Sequence, residues 1–268
     1  MDKAGKHYWN TSWAGSALPA AIDPTDLRLT NYVNRRFHHF FASLFSDMET
    51  KSLNLLEIGC AKSAWLPYFA KRYGFVITGL DYSPVGCQMA RGVLNANKVP
   101  GDIICADLFS PPLDMLGRFD VIVSFGVVEH FDDTAACLTA ISKFLKPGGV
   151  LITSIPNMTG LVGTLQRVIN KPVFDIHKLI DSVALRDAHK VAGLEVTKCD
   201  YFISTNFGVA NLEGVSTSTI KGFFKRLVLG AMVRLSMLVW WIESKCYLFK
   251  PIKLTSPYIA CIAFKPLT

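Results

Sequence analysis

Apolar and polar positions along this chain follow two rhythms. From Leu53 to Pro156, short apolar runs alternate with longer amphipathic stretches. The runs Asn54 to Ile58, Val76 to Leu80, Asp102 to Cys105, Val121 to Phe125 and Val150 to Ile155 have the length and continuity of strands buried on both faces. The stretches near 63–73, 84–96 and 133–145 carry helical spacing. In the last, Ala135, Leu138, Ile141 and Leu145 fall near one side, and Asp132 or Asp133 is a natural N-cap. Lys146-Pro147-Gly148-Gly149 is a stop-and-turn signal. Strand and helix alternating in this way predict a parallel sheet with helices on both faces.

Outside that core the rhythm loosens. Asn31 to Phe45 predicts a helix, with Tyr32, Phe40, Phe41, Leu44 and Phe45 near one side. The aromatic stretch His7 to Trp13 before it reads as irregular. After Pro156, residues 157–190 read as mixed loop and helix, Leu194 to Ile203 as a strand, Thr217 to Ser244 as a helix and Tyr258 to Phe264 as a last strand. A late pair of strands around an inserted helix would complete seven strands. The expectation is a Rossmann-like α/β fold with a seven-stranded, mostly parallel sheet, an N-terminal helical cap and a C-terminal helical insertion. Residues 1–50 are expected to form the cap or lid, 51–156 the Rossmann-like core, and 157–268 an inserted helix and the last strands of the same domain.

Composition sharpens this only in part. Half of the 268 residues are hydrophobic, enough for a sizeable core, and the net charge of +7 favours anionic partners without selecting one. Basic residues are scattered and no nucleic-acid module is visible, so nucleic acid is not expected. The seven cysteines form no CxxC pair, which argues against a zinc ribbon or disulfide framework and for small buried hydrophobes in a reducing compartment. The N-terminus is polar and unlike a signal peptide, so a cytoplasmic protein is expected. Leu227 to Ile242 is apolar for 16 residues, but Arg234 in its middle argues against a transmembrane span. Lys221, Lys225 and Arg226 precede it, Lys245 and Lys250 follow, and Trp240 and Trp241 sit near its end. Peripheral contact with the inner membrane surface, packing on the sheet and a homodimer interface all remain open for this helix.

Ligands of open α/β sheets bind at the carboxyl ends of the strands. The first strand ends in Glu57-Ile58-Gly59-Cys60-Ala61-Lys62-Ser63, where a glycine and small neighbours let backbone approach a ligand. Asp81, 22 positions beyond Gly59, ends the second and can accept two hydrogen bonds from a ribose diol. Asp107 follows the third, and Ser124-Phe125-Gly126-Val127-Val128-Glu129-His130 closes the fourth.

Together Leu55-Leu56-Glu57-Ile58-Gly59-Cys60, Gly79-Leu80-Asp81-Tyr82-Ser83-Pro84 and Asp107 resemble the first three motifs of class I S-adenosylmethionine-dependent methyltransferases. Phe119 to Ser124 with Val128-Glu129-His130-Phe131, and Leu145 to Leu151, resemble the fourth strand and the turn into the fifth in the small-molecule members. Order and spacing agree over roughly residues 53–156. The resemblance implies S-adenosylmethionine as cofactor. Gly59, Cys60 and Ala61 would face its methionine part, with Glu57 supporting that loop. Asp81 would bind the ribose hydroxyls, Tyr82 would pack near the adenine, Asp107 would bind its amino group, and Ser83, Ala106, Leu108 and Phe125 would also line the cofactor site. Ser63 departs from the family, which often has a third glycine there; it can add a hydrogen bond or push the loop outward. A nicotinamide dehydrogenase would want a GxGxxG run, which Gly59 to Ala64 lacks.

Methyl transfer from a sulfonium needs an aligned acceptor and a route for its proton. His130, after the fourth strand, is the first candidate base, against a structural role bonding a backbone carbonyl at its turn. His177 is the second, because a loop His ahead of the sixth strand resembles the family pattern. Glu129, Asp132 and Asp133 suggest a metal only weakly, since helix capping explains the aspartates, and no metal site is expected. Trp9, Trp13, Tyr32 and Arg36 either close over the cofactor or pack the cap onto the core. The expected function is methylation, at oxygen, of a small-molecule, glycan or lipid-linked acceptor. The alternative is a non-catalytic cofactor-binding adaptor that meets membrane or a protein partner through its C-terminal helix.

Overall fold

A computed structural model describes residues 2–216, 218–246 and 248–267. Its centre is a seven-stranded sheet of β1 (Asn54–Ile58), β2 (Val76–Asp81), β3 (Asp102–Cys105), β4 (Phe119–Phe125), β5 (Leu145–Pro156), β6 (Glu195–Phe202) and β7 (Tyr258–Phe264). The spatial order is β3-β2-β1-β4-β5-β7-β6. The first five strands run parallel; β7 is antiparallel to both β5 and β6. The order reverses between β1 and β4, the place where open α/β sheets leave a crevice at their carboxyl edge.

Nine α-helices are described: α1 (Gly5–Trp13), α2 (Tyr32–Leu44), α3 (Trp65–Tyr73), α4 (Pro84–Asn97), α5 (Thr134–Ser142), α6 (Leu161–Ile169), α7 (Lys171–Asp175), α8 (Ser182–Val191) and α9 (Ile220–Glu243). Local chemistry sets many of their ends. Ser83 caps α4 by accepting from Gly86 N, with Pro84 pre-set at the first helical position. Asp133, Asp181 and Thr219 cap α5, α8 and α9 in the same way. Gly74 ends α3 in the left-handed conformation (φ +74°) that a side chain would strain.

Two cores sandwich the sheet. On one face Leu138 and Ile141 of α5, Leu185 of α8 and Leu194 just after α8 are buried against Ile122, Leu151 and Ile259. On the other, α2, α3 and α4 build an aromatic core in which Phe41 is fully buried and edge-packs on Phe69 at 4.9 Å between ring centroids. Truncating such a ring costs about 3–5 kcal/mol.

Two readings of the sequence change. His7 to Trp13 is not irregular: it lies within the helix α1, where Trp9 and Trp13, one turn apart, stack at 5.6 Å. None of its residues is buried and no side chain caps it, so no core stripe betrays it in the sequence. Leu145 belongs to β5, not to the preceding helix, and Lys146 to Gly149 bulge out of that strand where the β4 register jumps from Phe119 to Val121. Of the stretch Thr217 to Ser244, Thr217 lies outside the described residues, and the helix runs Ile220–Glu243. No helix among the described residues is long and apolar enough to cross a membrane.

Candidate active site

A cavity of about 880 Å³ opens at the carboxyl edge of β1 to β4. It follows from the registers. Ile58 sits beside both Leu80 and Ser124, and Asp81 beside Cys105, so four strands deliver their following loops to one edge. Glu57, Gly59, Ala61, Asp81, Tyr82, Ala106, Asp107, Leu108, Phe125 and His130 all line it.

The loop after β1 is tied down from several sides. Gly59 has φ +72°, and a Cβ there would lie 2.5 Å from Val127 Cγ2. Lys62 is also left-handed (φ +51°). Ser63 resolves its departure from the family by adding a bond: its hydroxyl donates to Glu57 Oε2 at 2.8 Å and accepts from Trp65 N at 3.0 Å. Glu57 is buried, and that burial pushes its carboxyl up to about 8, with the Asp81 charge adding to the rise and the Ser63 bond opposing it. Asp81 accepts from Ala61 N at 3.1 Å through one oxygen and from Ser83 N at 2.8 Å through the other. A carboxylate oxygen holding one backbone N–H keeps a second lone pair, so two are left for a diol. Asp107 is exposed and accepts from Phe109 N at 2.8 Å.

Not every expected residue faces the cavity. Cys60 is buried under β2; a Cβ on Gly79 would meet its Sγ at 2.5 Å. Ser83 is fully buried, capping α4 and donating to Asn10 Oδ1 at 2.6 Å. Trp9 and Trp13 form a wall, joined by Trp65, Val127 and Phe131, which carry no polar signal in the sequence. Tyr32 and Arg36 lie elsewhere. Tyr32 stacks on Trp240 and donates to Glu243 Oε2 at 2.7 Å, and Arg36 lines a shallow recess beside it. Helix α1 is held over the site by Ser83–Asn10, by Tyr82 donating to the Asp2 carboxylate, and by the Trp9 ring set edge-on to His130 at 5.1 Å.

The turn after β4 carries the second group of polar residues. Gly126 (φ +68°) turns the chain, and Val128–His130 forms one 3-10 turn. His130 Nδ1 donates to Ile176 O at 3.1 Å and His177 Nδ1 to Val173 O at 2.7 Å. A carbonyl only accepts, so these bonds put the ring hydrogen on Nδ1 in both. The structural role weighed for His130 is therefore present, and it leaves Nε2 as the nitrogen that can take a proton. Burial lowers both histidines, His130 to about 4, where His177 adds to the fall. The two rings are 4.6 Å apart, with His177 behind His130 and off the cavity wall. Glu129 completes the group. It is 1% exposed, neither oxygen has a hydrogen-bond partner among the described residues, and burial pushes its carboxyl up to about 8. Asp133 caps α5, as its position suggested.

Sheet order and the cavity at the switch point are those of the class I, Rossmann-like methyltransferase fold. The chain matches the family described as "Methyltransferase domain" over residues 28–199, and it belongs to that family. It is 32% identical over 165 residues to a ubiquinone biosynthesis O-methyltransferase of Cereibacter sphaeroides (strain ATCC 17025 / ATH 2.4.3), covering 58% of this chain and 66% of that one, just under two thirds. A ubiquinone biosynthesis O-methyltransferase of Pelagibacter ubique (strain HTCC1062) is 28% identical over 209 residues, 75% of this chain and 84% of that one. Among solved structures, the [4+2]-cyclase SpnF is similar in fold, with TM-score 0.63 at 16% identity over 100% of this chain and 97% of that one. Geranyl diphosphate C-methyltransferase from Streptomyces coelicolor A3(2) gives TM-score 0.54 at 14% identity over 97% and 96%.

Proposed function

We propose that this protein transfers the methyl group of S-adenosylmethionine to a hydroxyl of a small, largely apolar acceptor. The observation that carries the reading is His130: a neutral imidazole on the cavity wall at the end of β4, with Nδ1 committed and only Nε2 able to accept a proton. Likeness to O-methyltransferases that act in ubiquinone biosynthesis supports hydroxyl as the acceptor group and a ring or lipid-like body.

Asp81 would accept from the ribose hydroxyls, Asp107 from the adenine amino group, and the Gly59–Ser63 loop would close on the methionine end. Bound S-adenosylmethionine supplies an electrophilic methyl on a sulfonium. Trp9, Trp13, Phe125 and Phe131 exclude water and orient the acceptor, and His130 Nε2 receives the hydroxyl proton as the oxygen attacks. Mass spectrometry of products from phenolic, quinol-like, glycan and lipid-linked acceptors tests this. An O-methyl product that disappears in His130→Ala supports it. Product from no hydroxyl acceptor, with cofactor binding intact, would leave the adaptor reading in its place.

We infer a second property for α9. Its inner side packs Trp240 and Ser236 into the protein, yet Phe224, Leu227, Leu235 and Leu238 on the opposite side are exposed, with Lys221, Lys225 and Arg226 close by. An apolar stripe with a cationic border suits an anionic bilayer surface. Co-sedimentation with anionic vesicles at low salt, lost in Leu235→Glu/Leu238→Glu, is the expected result; absence of sedimentation removes the idea.

A further inference from the structure

We propose that the recess between α2 and the end of α9 binds a phosphate group. None of its lining residues lines the cavity at the sheet edge, and the binding rests on neither reading above.

The recess begins as a sequence pattern. Arg35, Arg36 and His39 stand at helical spacings of three and four, so α2 presents them on one side. Tyr32, one turn earlier, stacks on Trp240 with ring centroids 5.3 Å apart and donates to Glu243 Oε2 at 2.7 Å. Those contacts draw the last turn of α9 against α2. The chain then turns, with Lys245 N donating to Ile242 O at 2.9 Å, and Lys245 joins the wall. The result is a hollow of about 210 Å³. A water takes about 30 Å³ in the liquid, so several fit, and so does a tetrahedral oxyanion.

The charge around it is one-sided. Arg35, Arg36 and Lys245 carry fixed positive charge, and Glu243 alone among the lining residues carries negative charge. None of the three cations belongs to an ion pair among the described residues. One cation would offset the negative end of α9, and the recess gathers three. Arg35 is already fixed in place. Its Nη1 donates to Asp26 O at 2.7 Å and to Arg28 O at 2.9 Å, which leaves the Nε and Nη2 hydrogens to donate elsewhere. Arg36 lies against the Tyr32 hydroxyl, whose hydrogen goes to Glu243. Both guanidiniums are half-buried, so they act on a ligand through a lower dielectric than open surface offers.

These donors select the ligand. Planar guanidinium forks match phosphate oxygens in pairs, and a lysine adds a point charge. Three positive charges against one negative leave an excess of two, and a phosphate monoester carries about −1.5 to −2 near neutrality. A soluble phosphate ester and a lipid headgroup both present that group. The exposed apolar side chains of Trp241, Leu248 and Phe249, close to Lys245 in the chain, suit the headgroup.

Calorimetric titration of the full-length protein with inorganic phosphate tests the site, at an ionic strength near 0.15 M that screens charges beyond about 8 Å. One saturable equivalent is expected, weakened at least about 10-fold in Arg36→Gln/Lys245→Gln. Lys221→Gln/Lys225→Gln removes equal charge from the first turns of α9 and should leave it unchanged. Retained S-adenosylmethionine affinity checks folding in each variant. Arg36→Lys keeps the charge and loses the fork, so it should weaken binding by a smaller factor, and it serves if the double variant does not fold. Sedimentation with phosphatidic acid vesicles above that with phosphatidylglycerol vesicles of equal surface charge, lost in Arg36→Gln/Lys245→Gln, would assign the headgroup. Glycerol phosphate bound as tightly as inorganic phosphate, with no preference between vesicles, would assign the soluble ester. No saturable equivalent, or equal weakening in Lys221→Gln/Lys225→Gln, would overturn the proposal. Sedimentation that then depends on Leu235 and Leu238 alone would belong to the apolar side of α9.

Discussion

Two buried glutamates mark the two halves of the cavity, and they are finished differently. Glu57 is the penultimate residue of β1 and Glu129 follows β4; burial pushes each up to about 8. Glu57 has a resident partner, the Ser63 hydroxyl, in a loop further held by Asp81 and two left-handed residues. Glu129 has no hydrogen-bond partner among the described residues, and His130 Nε2 lies 3.9 Å from its Oε1. The β1 side of the cavity is tied together by hydrogen bonds within the chain, whereas the Glu129 carboxyl after β4 makes none among the described residues. A methyl donor common to a family can be met by a pre-built cradle.

Four measurements can break or sharpen that contrast. The largest effect is expected on the acceptor side: His130→Ala should lower kcat by about 10²–10⁴-fold while the cofactor Kd, by calorimetry, stays within about twofold. Loss of cofactor affinity in that variant would show that the two halves are not separable. On the donor side, Asp81→Ala should weaken cofactor binding by at least about 100-fold, as expected for two charge-assisted hydrogen bonds of ~1.5–3 kcal/mol each.

Third, Glu57 sets a pH signature. Its carboxyl titrates near 8 in the folded state, above its ordinary value of 4.5. The native state therefore binds more protons than the unfolded one between those values. The resulting stability is fully present below the lower value and is lost as pH rises through the upper one. Stability without cofactor should fall from pH 7 to 8, by at most about 1.4 kcal/mol per pH unit from this group, seen as a lower Tm, and Glu57→Gln should flatten the slope. An unchanged slope would mean that another group sets it. The smallest effect belongs to Ser63→Ala, which should destabilise by about 1 kcal/mol in denaturant unfolding; a neutral result would show that Glu57 finds another partner.

The donor side was legible in the sequence because its signals are local. Glu57, Gly59, Asp81 and Asp107 each stand at the end of an apolar run whose length announces a strand, and position along the chain translates into position on one sheet edge. Cys60 and Ser83 show the limit: the motif locates their backbone but not the direction of their side chains. The acceptor side was legible only as isolated candidates. His130 and His177 were both recognisable, yet 47 residues separate them, and no periodicity tells that α7 and the loop after it bring the second ring behind the first. Glu129 was overshadowed by Asp132 and Asp133, whose capping role is local. Helix α1 was missed because its apolar residues wall a cavity instead of filling a core.

That same wall has an optical consequence. The chain has five tryptophans, and Trp9, Trp13 and Trp65 line the cavity while Trp240 and Trp241 belong to α9. Three of the five indoles therefore sit on the cavity wall, two of them on a helix with no buried residue. Filling the cavity should change the fluorescence of the unlabelled chain, a readout of occupancy that needs no dye.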